Sequence, residues 1–198
     1  TNLLKRGSIA VVGAAESDLG QVAPHTSPVD LMAQATMRAL DDCGLTLKDV
    51  DALYVAATQV RIGPMSLAEY LRIKPKVFDG TQIGGSSFMT HVAHAQMAIQ
   101  LGLCEVAVIA YGSTQRSVSR AAASPREFNP YESPYRPILP ISAYAMAAAR
   151  HMHQYGTTRE HLAEVAVAAR KWALMNPKAW EKEPLSIEQA RNARMVSY

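Results

Sequence analysis

A chain of 198 residues with 48% apolar content can bury the core of one domain plus an appendage. A formal net charge of +3, with 19% charged residues and no run of Lys or Arg, excludes the electrostatic footprint of a nucleic-acid binder. Two cysteines, Cys43 and Cys104, lack metal-ligand spacing and disulfide-scaffold density, no apolar run is long enough to cross a bilayer, and Thr1–Arg6 is not a signal sequence; together these point to a cytoplasmic protein without a membrane partner.

In chain order, Ser8-Ile9-Ala10-Val11-Val12-Gly13 is a continuous apolar run of the kind that fills a buried strand. Ser27-Pro28-Val29-Asp30 then opens a helix, with Ser27 as N-cap, Pro28 in the first helical position and Asp30 in the first turn. Leu31, Met32, Ala35, Ala39 and Leu40 give that helix its apolar stripe, and Gly44 ends it. A strand over Asp51–Ala56 follows, then a short helix over Pro64–Leu71 and a short strand over Lys76–Phe78. Asp79–Ile83 is a turn, and Gly84-Gly85-Ser86-Ser87 leads into an Ala-rich helix that stops at Gly102. Glu105–Tyr111 is a further buried strand. Strands alternating with helices predict an α/β fold with a mostly parallel sheet and helices over its faces.

The texture changes near Ser119. Pro125, Pro130, Pro134, Pro137 and Pro140, with Phe128, Tyr131 and Tyr135 among them, mark a Pro-rich excursion and a boundary. Beyond it the pattern is helical: Ser142–Tyr155, a helix opened by the capping box Thr157-Thr158-Arg159-Glu160 and running towards Met175, and a third opened by Ser186-Ile187-Glu188-Gln189. The expected organisation is an α/β domain over residues 1–118 and a helical loop domain over residues 119–198.

The sheet-to-helix turn at Gly84–Ser87 is the strongest candidate site. A helix N-terminus presents unpaired N–H groups and the positive end of a dipole, which suits a nucleophile or a developing negative charge. Ser86 and Ser87 supply hydroxyls, but an alcohol needs an adjacent base to attack, and serine is a common N-cap, so capping or oxyanion binding outweighs nucleophilic attack. His91 and His94 lie three apart on that helix without a nearby acidic residue or thiol in sequence to complete a metal set, which favours packing or polar contact. His151 and His153 face different sides of their helix. Cys43 and Cys104 read as apolar fillers, and Gly13-Ala14-Ala15-Glu16 lacks the glycines of a dinucleotide turn.

Three blocks carry a resemblance that spans nearly the whole chain. The first is Gly84-Gly85-Ser86-Ser87 with Val92–Gly102 and Val106–Ile109. The second is His151–His161 followed by Lys171–Pro177, and the third is Pro184–Ile187 through Ala193–Val196. In their order and spacing the chain resembles the N-terminal half of a thiolase-superfamily protein, nearest to the branch of sterol-carrier-protein thiolase and the non-specific lipid-transfer proteins.

The resemblance implies a thiolase-like half, with a mixed, mostly parallel sheet, followed by a helical loop domain. It implies an acyl-coenzyme A thioester as partner, with coenzyme A entering only as part of the substrate and no separate cofactor or metal. The acyl-accepting cysteine of thiolases falls at Gly85 here, with Ser86 and Ser87 after it, so the nucleophilic cysteine is missing. A second, pseudo-symmetric half would start soon after Tyr198. Tyr131, Tyr135, Tyr144 and Met146 could line an acyl pocket, or Tyr144 and Met146 could simply pack their helix. Arg170, Lys171 and Lys178 could meet coenzyme A phosphates or form a solvated basic face. Acyltransfer is the family reaction, but loss of the cysteine favours aldol-type cleavage beside a thioester. The alternative is a non-catalytic acyl-coenzyme A or lipid binder, or a structural subunit. The resemblance further implies a homodimer built at the edge near Lys76-Val77-Phe78 and a small OB-fold partner.

Overall fold

A computed structural model describes residues 5–118, 129–138 and 140–196. The chain forms two compact units, Thr1–Arg126 and Glu127–Tyr198.

The first unit is built on a sheet of three parallel strands, β1 (Ala52–Val55), β2 (Val77–Asp79) and β3 (Ala107–Ala110), in the order β2-β1-β3. Ala52 is in register with Val77 on one side and with Ala107 on the other. Every residue of β1 is buried, as a central strand covered on both faces requires. On one face Leu53, Val55 and Ala110 pack against Met32 and Ala33 of α1 (Pro28–Cys43) and Leu67 and Ala68 of α2 (Gly63–Leu71). On the other, Ala52 and Tyr54 pack against Ala95 and Ala98 of α3 (Ser87–Gln100). The architecture is α/β, with helices on both faces of the sheet. Leu53, fully buried, contributes about 1.5–3 kcal/mol by leaving water.

The ends of the strands are tied by one residue. The Asp51 carboxylate accepts the N–H groups of Glu105 at 3.1 Å and Val106 at 2.9 Å, ahead of β3. Its carbonyl accepts those of Lys76 at 2.8 Å and Val77 at 3.2 Å, where β2 begins. The Val77 N–H is therefore used inside the sheet, and the open edge of β2 belongs to Phe78.

Helix α1 starts and stops where its sequence dictates. Ser27 Oγ accepts the Asp30 N–H at 3.2 Å, the Asp30 carboxylate accepts the Ser27 N–H at 2.7 Å, and Gly44 closes the helix at φ 71°.

The N-terminal run departs from expectation. Ile9–Val12 forms no strand, although it continues to Leu19 without a turn or bend, and Val11 and Val12 are 80% and 63% exposed. Among the described residues it is held through its flanks. Gln100 Nε2 donates to Lys5 O and Ser8 Oγ on the α3 side, while Ala14 N–H donates to Asp42 and Arg38 to Glu16 O on α1. An apolar run announces burial but not the neighbour that provides it. Among the described residues no strand lies beside it, and both β2 and β3 are sheet edges.

In the second unit a short 3-10 turn, Ser133–Tyr135, precedes α4 (Ile141–Tyr155), α5 (Arg159–Met175) and α6 (Ile187–Arg191). Helices α5 and α6 pack together, with Arg159 donating to Arg191 O at 3.0 Å. The cap of α5 sits one residue later than its sequence pattern suggests, because the Thr158 N–H donates to His161 Nδ1 at 3.0 Å. Ser186 and Gln189 close the α6 capping box as expected. Pro125 and Phe128 of the Pro-rich excursion lie outside the described residues. No helix among the described residues is long and apolar enough to cross a membrane.

Candidate active site

The Gly84–Ser87 turn leaves the sheet beyond the carboxyl end of β2 and enters α3, on the side of a parallel sheet where α/β proteins place their ligands. Gly84 sits at φ 79°, a left-handed conformation that only glycine adopts cheaply. Gly85 carries no such requirement, and a Cβ added there meets no heavy atom within 4 Å. Among the described residues, nothing in the backbone or its neighbours imposes the absence of a side chain at residue 85.

The two serines differ sharply. Ser87 is fully buried, and its hydroxyl donates to Gly84 O at 2.7 Å while accepting the Ile83 N–H at 2.9 Å. That hydroxyl serves the turn: its proton is committed to a backbone carbonyl rather than to a base that could take it. Ser86 is exposed at the N-cap, and its side chain makes no capping bond. The first acceptor of the helix is Ser86 O, which takes the Thr90 N–H at 3.2 Å. The Phe88 and Met89 N–H groups meet no acceptor among the described residues, leaving an uncapped donor pair at the positive end of α3.

Side chains from α3 reach back to fix this turn. His91, 0% exposed, is set between the rings of Tyr54 and Phe88, with centroids 5.7 Å and 6.3 Å away. Its Nε2 lies 3.0 Å from Thr81 O, and because a carbonyl can only accept, Nε2 carries the proton. Its Nδ1 is buried with no partner. His94 Nδ1 pairs with Asp79 Oδ2, and Asp79 Oδ1 accepts the Thr81 N–H at 2.7 Å. Burial pushes the Asp79 carboxyl up, but hydrogen bonds from His94 and Thr81 outweigh it and hold the group below its ordinary value. Burial likewise raises the Tyr54 hydroxyl to about 12. The ladder Ser87, His91 and His94 follows the i, i+4, i+7 face of the helix, and that periodicity is visible in the sequence. The acidic partner Asp79, 15 residues from His94, is not.

Two shallow depressions lie beside β2. One of about 250 Å³ is lined by Tyr54, Phe78, Asp79, His94, Met97 and Leu101, along the open edge of β2. Another of about 240 Å³ lies where α2 begins, beside Arg61, Met65, Asp79 and Gly80.

The acyl-pocket candidates and Arg170 lie in the second unit. Tyr131 and Tyr135 are 87% and 85% exposed, and Tyr144 and Met146 on α4 are 68% and 70% exposed. Arg170 is committed to Glu183 O at 2.6 Å and to the Glu181 carboxylate at 3.2 Å. Cys43 Sγ lies 3.4 Å from the carbonyls of Ala39 and Leu40, and Cys104 is buried, its thiol raised by desolvation. His94 and Asp79 form a pair rather than a metal set, and no cluster of metal-ligating side chains occurs among the described residues.

No protein-family model matches the chain. It is 30% identical over 204 residues to a 17-hydroxy-3-oxo-4-pregnene-20-carboxyl-CoA lyase of Mycobacterium tuberculosis, covering 96% of this chain and 52% of the relative. It is also 30% identical over 207 residues to an acetyl-CoA acetyltransferase of Methanothermobacter thermautotrophicus, covering 96% of this chain and 51% of the relative. Among solved structures it is similar to the Ltp2-ChsH2(DUF35) aldolase, with a TM-score of 0.68 and 30% identity over 95% of this chain and 50% of that one. The chain spans about half the length of the curated relatives it matches. With an α/β sheet leading through a Gly-Ser turn into a buried-faced helix, and relatives of both lyase and acetyltransferase type, the chain belongs to the thiolase superfamily.

Proposed function

We propose that this chain supplies the α3 turn of an enzyme that cleaves a carbon–carbon bond next to an acyl-coenzyme A thioester by a retro-aldol route. The observation that carries the reading is the turn itself: an uncapped helix N-terminus with two free N–H donors and no thiol. A Claisen exchange needs a thiolate to take up the acyl group. Neither cysteine is placed to replace it, since Cys43 ends α1 and Cys104 is buried just ahead of β3.

A retro-aldol step needs no acyl-enzyme. A base takes the proton of the β-hydroxyl, the Cα–Cβ bond breaks, and the electron pair passes into the thioester as an enolate. The carbonyl product leaves, and the enolate is protonated at Cα. The negative charge on the thioester oxygen is what the Phe88 and Met89 N–H groups are suited to stabilise, and one such donor is worth on the order of 100- to 1000-fold in rate. A lyase stands among the relatives beside an equally identical acetyltransferase, and the missing thiol is what favours the retro-aldol reading of the two.

The exposed aromatics Tyr131, Tyr135 and Tyr144, with Met146, are proposed to meet the acyl group. The exposed Phe78 beside the β2 edge supports pairing of two copies there. A small OB-fold partner follows from the family resemblance.

The test takes the protein at its full natural length. Incubation with a β-hydroxyacyl-coenzyme A should release a carbonyl product, while acetoacetyl-coenzyme A should leave no acetyl group on the protein by intact-mass spectrometry. A stoichiometric acetyl adduct would overturn the retro-aldol route. Coenzyme A binding without turnover of either thioester would replace it with a non-catalytic acyl-coenzyme A binder.

A further inference from the structure

We propose that His91 is a positioning residue for the α3 turn, acting with the Asp79–His94 pair to set the direction of the donors at the helix N-terminus. The inference deepens the retro-aldol reading and rests on it for its chemical purpose, but its structural content stands on separate observations.

Three side chains of one helix face converge on one short segment. His91 Nε2–H holds Thr81 O at 3.0 Å, Ser87 Oγ holds Ile83 N–H and Gly84 O, and His94 holds the Asp79 carboxylate that in turn holds Thr81 N–H at 2.7 Å. Thr81 is thus gripped through both its carbonyl and its N–H. The face that carries these groups is the one turned to the sheet, where its neighbours Ala95 and Ala98 are buried against Ala52 and Tyr54. Apolar residues at the same positions would satisfy packing alone.

The unusual feature is His91 Nδ1, a buried acceptor with no donor. A buried polar atom without a partner destabilises a fold, and phenylalanine, one heavy atom larger, would place an all-carbon ring between Tyr54 and Phe88 without it. An imidazole at this position gains nothing in packing over that ring. What it adds is the single Nε2–H bond to Thr81, and through it the conformation of the segment that ends at Gly85 and Ser86. His91 touches no reacting atom in this scheme and acts through the turn.

The deciding experiment combines His91→Phe and His91→Gln in the full-length protein. Glutamine places its amide Nε2 near the position of the imidazole Nε2–H, whereas phenylalanine keeps the ring and loses the donor. Expected for His91→Phe is a melting temperature close to that of the unaltered protein, the extra ring atom offsetting the removal of the unpaired nitrogen, with the Thr81, Ile83 and Ser87 amides exchanging hydrogen about three- to tenfold faster. With a β-hydroxyacyl-coenzyme A as probe, kcat should fall while KM stays near that of the unaltered protein. His91→Gln should restore both the exchange rates and kcat. Unchanged exchange at those three amides in His91→Phe would overturn the inference. So would a lowered melting temperature with exchange accelerated equally in β1 and β3, which is the signature of a packing role. If the unaltered protein turns over no thioester, the retro-aldol reading fails, and the exchange measurement alone still decides the role of His91.

Discussion

Placing a thiol at residue 85 tests whether the α3 turn is a working electrostatic site. The Gly85→Cys side chain should fit without cost, since an added Cβ meets nothing within 4 Å and the backbone there is not left-handed. Replacing a glycine in a compatible conformation restricts the unfolded chain, so stability should hold or rise by about 0.4–1 kcal/mol. An exposed thiol at an uncapped helix N-terminus gains about 0.3–1 kcal/mol for its thiolate, which lowers its pKa by about 0.2–0.7. Starting from an ordinary value of about 8.5, the thiolate fraction at neutral pH rises about two- to fourfold. Iodoacetamide alkylation, followed by peptide mass spectrometry, should therefore modify residue 85 faster than an unstructured cysteine peptide, with Cys104 lagging far behind because it is buried. Alkylation of residue 85 no faster than the peptide would refute the claim that the turn presents a positive helix end. A fall in melting temperature of several degrees would refute the claim that the glycine is sterically optional.

Gly112→Ala should show the opposite steric outcome, because a Cβ there would lie 2.2 Å from Pro28 O and 2.7 Å from Met32 Cγ. Forcing α1 away costs about 1–3 kcal/mol against an entropic gain of at most about 1, and calorimetry should record a melting temperature lower by several degrees; an unchanged value would contradict the packing of α1 on the end of β3. Asp79 has its carboxyl held low, so its folded form binds fewer protons than the unfolded chain: its contribution is complete above the ordinary carboxylate value of about 4 and is lost as pH falls through the folded value. Urea midpoints between about pH 6 and pH 3 should thus fall less steeply in Asp79→Asn than in the unaltered protein, and identical slopes would mean that the pairing with His94 contributes nothing. Phe78→Lys, which puts a charge on the open edge of β2 without touching the Val77 bond to Asp51, should shift light-scattering mass from two copies to one. An unchanged dimer would rule out that edge as the contact.

How much of this was legible in the sequence depended on whether the determining residues lay close together. Helix α1 is written locally, from Ser27, Pro28 and Asp30 at one end to Gly44 at the other, and the structure follows it at both ends, although its buried face takes in Ala33 and Thr36 where the sequence pattern suggests Ala35 and Ala39. The α/β alternation is equally local in origin. The candidate turn could be placed because glycines and serines between a short strand and an Ala-rich run have few other uses. The Asp79–His94 pair could not, since nothing in a helix pattern says which loop residue it will face. The α5 cap was misplaced by one residue because His161, whose ring nitrogen accepts the Thr158 N–H, does the work normally expected of a carboxylate or an amide. Ile9–Val12 is a different kind of miss. Its composition states correctly that the run is suited to burial, while the fold of the described residues offers it no strand to join.

That unsatisfied run bears on how the protein must be made. Ile9–Val12 lies at the start of the sequence, so a ribosome extrudes it ahead of β1, β2 and β3, and none of these captures it. A short β-branched stretch with apolar surface on both sides is a natural substrate for holding chaperones and a nucleus for aggregation while it waits. A strand to pair with it would have to come from distant sequence or from another chain, and such a closure is slow because of the length of loop it must span. Yield on overproduction should accordingly respond to chaperone level and temperature more strongly than the well-packed β1 core alone would suggest.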